Sequence, residues 1–296
     1  MNLRDLRYLV AVAEHRHFGR AAEACFVSQP TLSTQLKKLE ETLGVVLIER
    51  SNRRVMLTAE GTQIVDQAQR ILVEVNSLVA MSEQLRDPLG GELRVGIIPT
   101  IAPYLLPHIL KPVHEALPNL EMHLTEGQTA QLVRKLKQGE LDAILLALPL
   151  DEENIAEYAL YDEPFFFAVA HSHPKAGKTQ VTTADLDNEE VLLLEDGHCL
   201  RDQALEVCHT HRGVESKNYS ATSLETLRQL VAAGLGITLM PELAVNDVKS
   251  GNGSDISYIP FVGDVPSRTL GLCWRTSSTR IDLLQELAGV IHRCMH

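Results

Sequence analysis

Residues 87–91 divide the 296-residue chain into two parts that differ in their pattern of apolar residues. The segment Asp-Pro-Leu-Gly-Gly at these positions is typical of a linker, because proline and glycine interrupt regular structure. Before it, apolar residues recur at helical spacing. After it, short apolar runs alternate with helical segments, as in the βαβ units of doubly wound sheets. The sequence therefore predicts an α/β protein with a separate, helical N-terminal part.

The N-terminal part predicts three helices, over residues 2–14, 19–25 and 29–43. Ser28 is a favoured N-cap for the third helix, and Pro30 lies in its first turn, where a missing N–H is harmless. The face opposite its leucine stripe can contact base edges or phosphates if the helix N-terminus enters the major groove. That face consists of Gln29, Pro30, Thr31, Ser33, Thr34, Lys37 and Lys38. For an isolated helix, a merely solvated surface is the commoner explanation.

Residues 45–58 provide a context that favours DNA binding. Two short apolar runs there flank a basic tip, as in the β-hairpin or wing that often follows a DNA-reading helix. Arg50, Arg53 and Arg54 are expected to hold the phosphate backbone. Residues 1–60 carry a net charge of +2, whereas the rest of the chain carries −14. The N-terminal part is therefore the only part expected to face DNA.

Residues 58–86 predict one long helix. Apolar residues repeat every seven positions over about three heptads, a pattern that favours a coiled-coil dimer. The repeat consists of Ile64, Ile71, Leu78 and Leu85. After residue 91, helices are predicted over 103–115 and 128–139. Strands are predicted over 93–98, 120–124, 141–148, 165–170, 191–195, 236–241 and 269–274.

The composition excludes several classes of protein. No apolar run is long enough to span a membrane, and the charged N-terminus does not resemble a signal peptide. We therefore expect a cytoplasmic protein with no membrane partner. Five widely spaced cysteines do not form a secreted disulfide framework, so any disulfide is expected to be redox-active. No metalloprotease, nucleophile-elbow or phosphate-loop motif is present, and no enzyme or cofactor is predicted.

Four motifs together resemble the N-terminus of LysR-type transcription regulators. They are Phe18-Gly19-Arg20-Ala21-Ala22-Glu23, Val27-Ser28-Gln29-Pro30-Thr31-Leu32-Ser33, Leu39-Glu40-Glu41-Thr42-Leu43-Gly44 and Leu47-Ile48-Glu49-Arg50. The resemblance covers the whole chain and implies a winged helix-turn-helix, a long linker helix and a two-lobed α/β effector domain like a periplasmic binding protein. The implied domains are 1–60 for DNA binding, 58–91 for dimerisation and linkage, and 92–296 for regulation, with one lobe at 92–163 plus 267–296 and the other at 164–266.

Further motifs are similar to those of the family members that sense hydrogen peroxide. They are Leu194-Glu195-Asp196-Gly197-His198-Cys199-Leu200-Arg201-Asp202-Gln203-Ala204 with Cys208 following, Ala221-Thr222-Ser223-Leu224-Glu225-Thr226-Leu227, Ile98-Pro99-Thr100, Gln128-Thr129 and Arg268-Thr269. The resemblance implies that Cys199 attacks the peroxide as the peroxidatic thiol and that Cys208 resolves the sulfenic acid as a disulfide. It also implies that Thr100, Thr129 and Arg268 bind peroxide.

His198 and Arg201 flank Cys199 and are expected to support its thiolate, since a reactive thiol needs positive charge or hydrogen-bond donors nearby. The partners implied by the resemblance are double-stranded DNA, a second copy of the chain in a dimer or tetramer, RNA polymerase, and a thiol reductant such as a glutaredoxin or thioredoxin. Taken without the motif, Cys199 and Cys208 are more often inert buried residues.

Three alternatives stay open from the sequence. A regulator of the same family can answer a small organic effector bound between the lobes. The chain can also be a binding protein or enzyme without a DNA role. A zinc site is the third alternative, although the spacing differs from the usual short Cys-x-x-Cys clasp. Its ligands would come from His198, Cys199, Cys208, His209 and His211.

Residues 200–209 predict a helix between the two cysteines. Leu200, Ala204, Val207 and Cys208 share one face, and polar residues, among them Gln203, are expected outside it. A helix would separate the two cysteine Cα atoms by about 13 Å. A disulfide is therefore expected to require remodelling of this segment.

Overall fold

The N-terminal unit is formed by helices and one hairpin. The computed structural model describes residues 1–50, 55–84, 87–210, 214–249 and 255–295. These residues form two compact units, Met1–Glu83 and Gln84–His296. The elements of the first unit are α1 (Leu3–His15), α2 (Phe18–Ala24), α3 (Gln29–Leu43), β1 (Ile48–Arg50), β2 (Val55–Leu57) and α4 (Ala59–Gln84).

Local side-chain chemistry sets the starts of the first three helices. The Asn2 side chain caps α1, and Nδ1 of His17 accepts from the N–H groups of Gly19 and Arg20 at the start of α2. Ser28 caps α3 by accepting from the N–H of Thr31 at 3.3 Å. Such caps satisfy N–H groups that have no partner inside the helix. The helices then pack around leucines of α3 that are almost fully buried: Leu32, Leu36 and Leu39.

The hairpin and α4 meet through a close backbone approach. β1 pairs antiparallel with β2. Thr58 caps α4 by accepting from the N–H of Gly61 at 2.8 Å, and its hydroxyl donates to the Val46 carbonyl. A Cβ at Gly61 would lie 2.0 Å from the Leu47 carbonyl oxygen. Only glycine therefore allows α4 to begin directly beside the hairpin.

The second unit alternates strands and helices. Its elements are β3 (Gly91–Ile97), α5 (Ala102–Ala116), β4 (Leu120–Glu126), α6 (Thr129–Lys137), β5 (Ala143–Leu148), β6 (Ile155–Ala170), a 3₁₀ turn (Thr183–Leu186), β7 (Glu190–Leu194), α7 (Cys199–Thr210), β8 (Val214–Ala221), α8 (Leu224–Ala232), β9 (Thr238–Pro241), α9 (Glu242–Lys249), β10 (Ile256–Pro260), β11 (Ser267–Arg275) and α10 (Ile281–Met295).

The long strand β6 belongs to two layers of strands. Residues 155–164 pair antiparallel with β11, which continues through β5 and β3 to β4. Residues 165–170 pair instead with β9 and β10. β3 runs parallel to both β4 and β5, and β7 runs parallel to β8. The loops that follow β3, β4 and β7 are therefore at carboxyl ends of parallel strands, where α/β proteins commonly place ligand sites.

The α/β class and the division into a helical N-terminal unit and a larger α/β unit with two layers of strands agree with the sequence prediction. The strand predicted over 165–170 is only the last six residues of the 16-residue β6, which begins ten residues earlier. The sequence prediction also missed β8 and β10. No helix among the described residues is long and apolar enough to cross a membrane.

Candidate redox and nucleic-acid sites

The outer face of α3 is open to solvent. Gln29, Pro30, Thr31, Thr34, Lys37 and Lys38 are exposed, and Ser33 is half-buried. Oγ of Ser28 lies 2.7 Å from Oγ1 of Thr31, so Thr31 takes part in the cap as well as in the exposed face. The end of α3 is tied to the hairpin because Glu40 accepts from the N–H of Leu47 at 2.9 Å.

The basic tip predicted for the hairpin falls on residues 51–54, which lie outside the described residues. Arg50 is the last residue of β1, and its side chain lies outside the described atoms, as do Arg53 and Arg54 entirely. β1 and β2 themselves form the two-stranded hairpin that the sequence predicted there. The expected phosphate contacts of these arginines remain a prediction.

Cys199 is the first residue of α7. Its thiol is free and half-buried, and the side chain packs against the apolar core of the second unit. The loop before it turns at Gly197, whose φ of +93° lies in the left-handed region that favours glycine. Cys208 lies in the same helix, so the backbone places the two cysteines on different turns of α7; its side chain is not described.

The end of α6 that carries Thr129 contacts the loop that leads to Cys199. Nε2 of Gln128 lies 3.4 Å from the Asp196 carbonyl oxygen, and a Cβ at Gly197 would lie 2.9 Å from Oε1 of Gln128. Thr129 is the first residue of α6. The loop after β4 and the loop after β7 are thereby held against each other across the two lobes.

Thr100 and Arg268 form a buried polar pair. Nη1 of Arg268 donates to Oγ1 of Thr100 and Nη2 donates to the Thr100 carbonyl oxygen, both at 3.1 Å. The adjacent edge of the guanidinium faces Glu163, whose Oε2 lies 2.7 Å from both Nε and Nη2. The side chains of Arg268 and Glu163 are fully buried. The structure thus brings together two of the predicted residues and adds a carboxylate that lies outside every motif considered in the sequence analysis.

His198 and Arg201 have different environments. His198 is buried, and this burial lowers the pKa of its imidazole, with a smaller opposing effect from Glu195. The neutral imidazole is therefore favoured at neutral pH, which makes His198 a hydrogen-bonding group rather than a positive charge.

Arg201 is already paired with carboxylates. Its Nε lies 2.9 Å from Oδ1 of Asp196 and its Nη2 lies 2.7 Å from Oε1 of Glu215. These contacts raise the pKa of Arg201, and its Nη1 donates to the Leu194 carbonyl at 3.1 Å. The arginine therefore fastens the Cys199 loop to β8.

Two buried polar atoms, one in the first residue of α6 and one in the second turn of α7, have no hydrogen-bond partner among the described residues. They are Oγ1 of Thr129 and Oε1 of Gln203. Gln203 lies one turn after Cys199 on α7, so the two side chains share a face of the helix. The sequence prediction had put Gln203 outside the buried face. Buried polar atoms of this kind normally find a partner, so each of the two can accept a hydrogen bond from a small polar molecule.

The remaining cysteines are unlike Cys199. Cys273 is fully buried in β11, and burial raises its pKa to about 12. Burial also raises the pKa of Cys25. Of the five residues considered as zinc ligands, His211 and the side chains of Cys208 and His209 lie outside the described atoms. Among the described residues, no three His, Cys, Asp or Glu side chains are grouped so that they could hold a metal ion.

Two family models match the chain. Residues 3–62 match the bacterial regulatory helix-turn-helix protein of the lysR family, and residues 86–294 match the LysR substrate binding domain. Among curated relatives, the DNA-binding transcriptional dual regulator OxyR of Escherichia coli strain K12 is 49% identical over 295 residues, which cover 100% of this chain and 96% of that protein. The hydrogen peroxide-inducible genes activator of Haemophilus influenzae is 44% identical, covering 98% of this chain and 96% of that protein.

Solved structures of OxyR proteins match the fold of this chain over almost its whole length. A full-length OxyR variant from Pseudomonas aeruginosa, with one cysteine replaced by aspartate, is 42% identical and matches with a TM-score of 0.78, covering 99% of this chain and 95% of that one. A mutant of Corynebacterium glutamicum OxyR with bound H2O2 is 38% identical and has a TM-score of 0.68, covering 99% of this chain and 92% of that one.

Proposed function

Because the chain belongs to the LysR family of bacterial regulators, and within it to the OxyR group, we propose that it is a DNA-binding transcription regulator that senses hydrogen peroxide through Cys199 and Cys208. The observation that carries the proposal is the position of Cys199. Its free, half-buried thiol lies on the first residue of α7. The loop that precedes this residue is hydrogen-bonded to Gln128 at the N-terminus of α6. The relatives named for peroxide induction, and the relative with bound H2O2, support the choice of signal.

DNA binding is assigned to residues 1–60. The exposed face of α3 enters the major groove, and the arginines of the hairpin contact the flanking phosphates. Two copies of the chain join through residues 58–91. Leu78 and Met81 on α4 are exposed in the single chain, which supports burial against a second α4. A dimer of this kind addresses half-sites about 34 Å apart or a multiple of that distance.

Residues 92–296 act as the peroxide sensor. The thiolate of Cys199 attacks one peroxide oxygen: an S–O bond forms, the O–O bond breaks, and the second oxygen leaves as hydroxide that takes a proton to become water. The Cys208 thiol then attacks the sulfenic sulfur, so that an S–S bond forms and a second water leaves. Because negative charge develops on the leaving oxygen, the reaction needs hydrogen-bond donors at that position.

We assign this need to polar groups that the resemblance places at the site. Thr100 and Thr129 bind the two peroxide oxygens, Arg268 orients Thr100, and neutral His198 supplies a further hydrogen bond. Arg201 holds the loop that carries the thiol. The oxidation is a signal rather than a catalytic turnover. A thiol reductant such as a glutaredoxin or thioredoxin returns two electrons and restores both thiols, and RNA polymerase reads the DNA-bound state.

Thiol-mapping mass spectrometry before and after peroxide tests the proposal. We expect a Cys199–Cys208 disulfide in the wild-type protein, a Cys199 sulfenic acid in Cys208→Ser, and neither product in Cys199→Ser. Cys273→Ser is the matched control and should behave as wild type. A regulator that answers an organic effector would instead leave Cys199 reduced at peroxide concentrations that oxidise the OxyR relatives, and this result would refute the peroxide proposal.

A further inference from the structure

We propose that Glu163 is a positioning residue for the peroxide reaction: it fixes the Arg268 guanidinium so that the Thr100 hydroxyl is presented as a hydrogen-bond donor at Cys199. The inference rests on the proposed function, because it concerns the reaction assigned to Cys199. It goes further by naming a residue outside every motif from which that function was inferred.

Glu163 lies at the point where β6 passes from one layer of strands to the other. It is opposite Arg268 in the β6–β11 register, so the pair is set by backbone pairing. Oε2 of Glu163 lies 2.7 Å from both Nε and Nη2 of Arg268, while Oε1 accepts from the N–H of Leu243 at 2.9 Å. Both carboxylate oxygens are therefore occupied, and neither is exposed.

The pair determines the orientation of the guanidinium. A planar guanidinium has a fixed fork of N–H donors, so anchoring Nε also fixes the directions of Nη1 and Nη2. Those two atoms reach Oγ1 and the carbonyl oxygen of Thr100. A chain of buried contacts thus runs from the Leu243 N–H through Glu163 and Arg268 to Thr100.

The charge balance explains why the carboxylate is needed. A buried guanidinium without a partner carries a large desolvation penalty, and it would turn toward whatever anion is nearest. With Glu163 present, the charge of Arg268 is compensated locally, and the arginine acts on Thr100 by orientation. Replacing the carboxylate should therefore disturb the donor to the leaving oxygen more than it disturbs the thiolate.

Glu163→Gln is a close test of this role. The amide oxygen can still accept from the Leu243 N–H, but the amide NH2 would face the Nε–H of Arg268, donor against donor. Asp162→Asn is the matched control: Asp162 is the preceding residue of β6, is exposed, and accepts from the Thr269 hydroxyl on the same partner strand. All variants are made in the full-length chain with Cys208→Ser, so that oxidation stops at the sulfenic acid.

Two reagents separate positioning from a general effect on the thiol. Iodoacetamide reacts with an accessible thiolate without cleaving an O–O bond, whereas peroxide needs a donor at the leaving oxygen. We expect Glu163→Gln to slow sulfenic acid formation about tenfold or more, a part of the roughly 100-fold loss expected when the donor itself is removed, with the rate of alkylation little changed. Asp162→Asn should leave both rates as in wild type. Glu163→Asp keeps the charge with one methylene less, so its rate of sulfenic acid formation should lie between those of Glu163→Gln and wild type. If Glu163→Gln does not fold, Glu163→Asp takes its place in the comparison.

A double-mutant cycle tests whether Glu163 acts through Thr100. In a Thr100→Val background the hydroxyl is already absent, so Glu163→Gln should cause little further loss of peroxide rate. Three results would each overturn the inference. Glu163→Gln could slow the reactions with peroxide and iodoacetamide equally, it could leave the peroxide rate unchanged, or it could lower the peroxide rate by its full factor again in the Thr100→Val background. If the wild-type thiol itself does not respond to peroxide, the proposed function fails, and that outcome is distinct from all three.

Discussion

The Arg268 guanidinium restricts the Thr100 hydroxyl to one role. Arginine has donors only, so the hydroxyl oxygen must accept in its 3.1 Å contact with Nη1. The hydroxyl proton is then available to another acceptor. Because the Thr100 carbonyl accepts from Nη2, the backbone is held by the same group. This geometry presents Thr100 as a donor before any ligand is present, which is the arrangement that stabilises developing negative charge.

Thr100→Val should therefore slow the reaction of Cys199 with peroxide on the order of 100-fold, as expected when one oriented donor is removed. Valine has nearly the same shape as threonine but no hydroxyl. Thr100→Ser keeps the hydroxyl and should retain most of the rate. The measurement is stopped-flow or quenched labelling of the sulfenic acid in a Cys208→Ser background. Equal rates for the valine and serine variants would contradict the assigned donor.

The buried imidazole of His198 should make the regulatory unit less stable in acid. Burial lowers the pKa of His198 below its ordinary value. The unfolded chain then binds more protons than the folded chain between the lowered pKa and the unfolded value of about 6.5, so stability is present above pH about 6.5 and is lost as the pH falls below it.

The measurement for this prediction is urea unfolding at a series of pH values. His198→Asn removes the titrating group, so the fall in the urea midpoint between pH about 7.5 and 5.5 should become smaller than in wild type. The exposed His123 provides the control, because His123→Asn should leave the slope as it is. A slope that is unchanged in His198→Asn would count against the buried, neutral imidazole.

Loss of the Ser28 cap should weaken DNA binding without affecting the redox site. Ser28→Ala removes the acceptor of the Thr31 N–H and is expected to cost about 1 kcal/mol at the start of α3. Hydrogen exchange over residues 29–33 should become faster, and affinity for operator DNA should fall in a gel shift. Thr42→Ala, near the other end of the same helix, is the control. Unchanged exchange at residues 29–33 would show that another group caps the helix.

Cys273 should stay unreactive in the folded protein. It is fully buried, and burial raises its pKa to about 12, so it remains a thiol over the whole physiological pH range. Alkylation with iodoacetamide at pH about 8, followed by peptide mapping, should label Cys199 well before Cys273. Unfolding in guanidinium should remove the difference. Labelling of both cysteines at similar rates in the native protein would contradict the burial.

The parts of the molecule that sequence alone could predict are those set by local chemistry. Ser28 was identified because an N-cap depends only on residues a few positions away, and the leucine stripe of α3 depends only on helical periodicity. β8 (Val214–Ala221) was missed because its sequence has few apolar residues and its pairing with β7 is a tertiary contact.

The polar site was less predictable than the fold. Glu163 follows an aspartate and precedes a proline, which suggests an exposed turn rather than a buried carboxylate. Only the β6–β11 register brings it opposite Arg268, more than one hundred residues later. Gln203 was predicted outside the buried face because the helical pattern ranks residues by polarity, while its Oε1 is in fact buried.

The helical spacing of the two cysteines predicts that oxidation remodels α7. α7 runs from Cys199 to Thr210 without a break, and the cysteines are nine positions apart. At a rise of 1.5 Å per residue their Cα atoms are about 13 Å apart, whereas a disulfide needs roughly 4.4–6.8 Å. The helix must therefore unwind, at least in part, before the bond can close. A covalent bond then selects between two arrangements of the same segment, which can reposition the faces through which subunits meet.

Hydrogen exchange over residues 199–210, with and without peroxide, measures this change. In the wild-type protein we expect the slowly exchanging amides of α7 to lose protection when the disulfide forms, and to regain it after reduction. Cys199→Ser should keep the reduced pattern in both conditions, and Cys208→Ser should form a sulfenic acid without the full change. Both variants should still bind DNA, because α3 belongs to the other unit. If mass spectrometry confirms the disulfide while exchange over 199–210 stays the same, the helix does not unwind and the proposed switch is wrong.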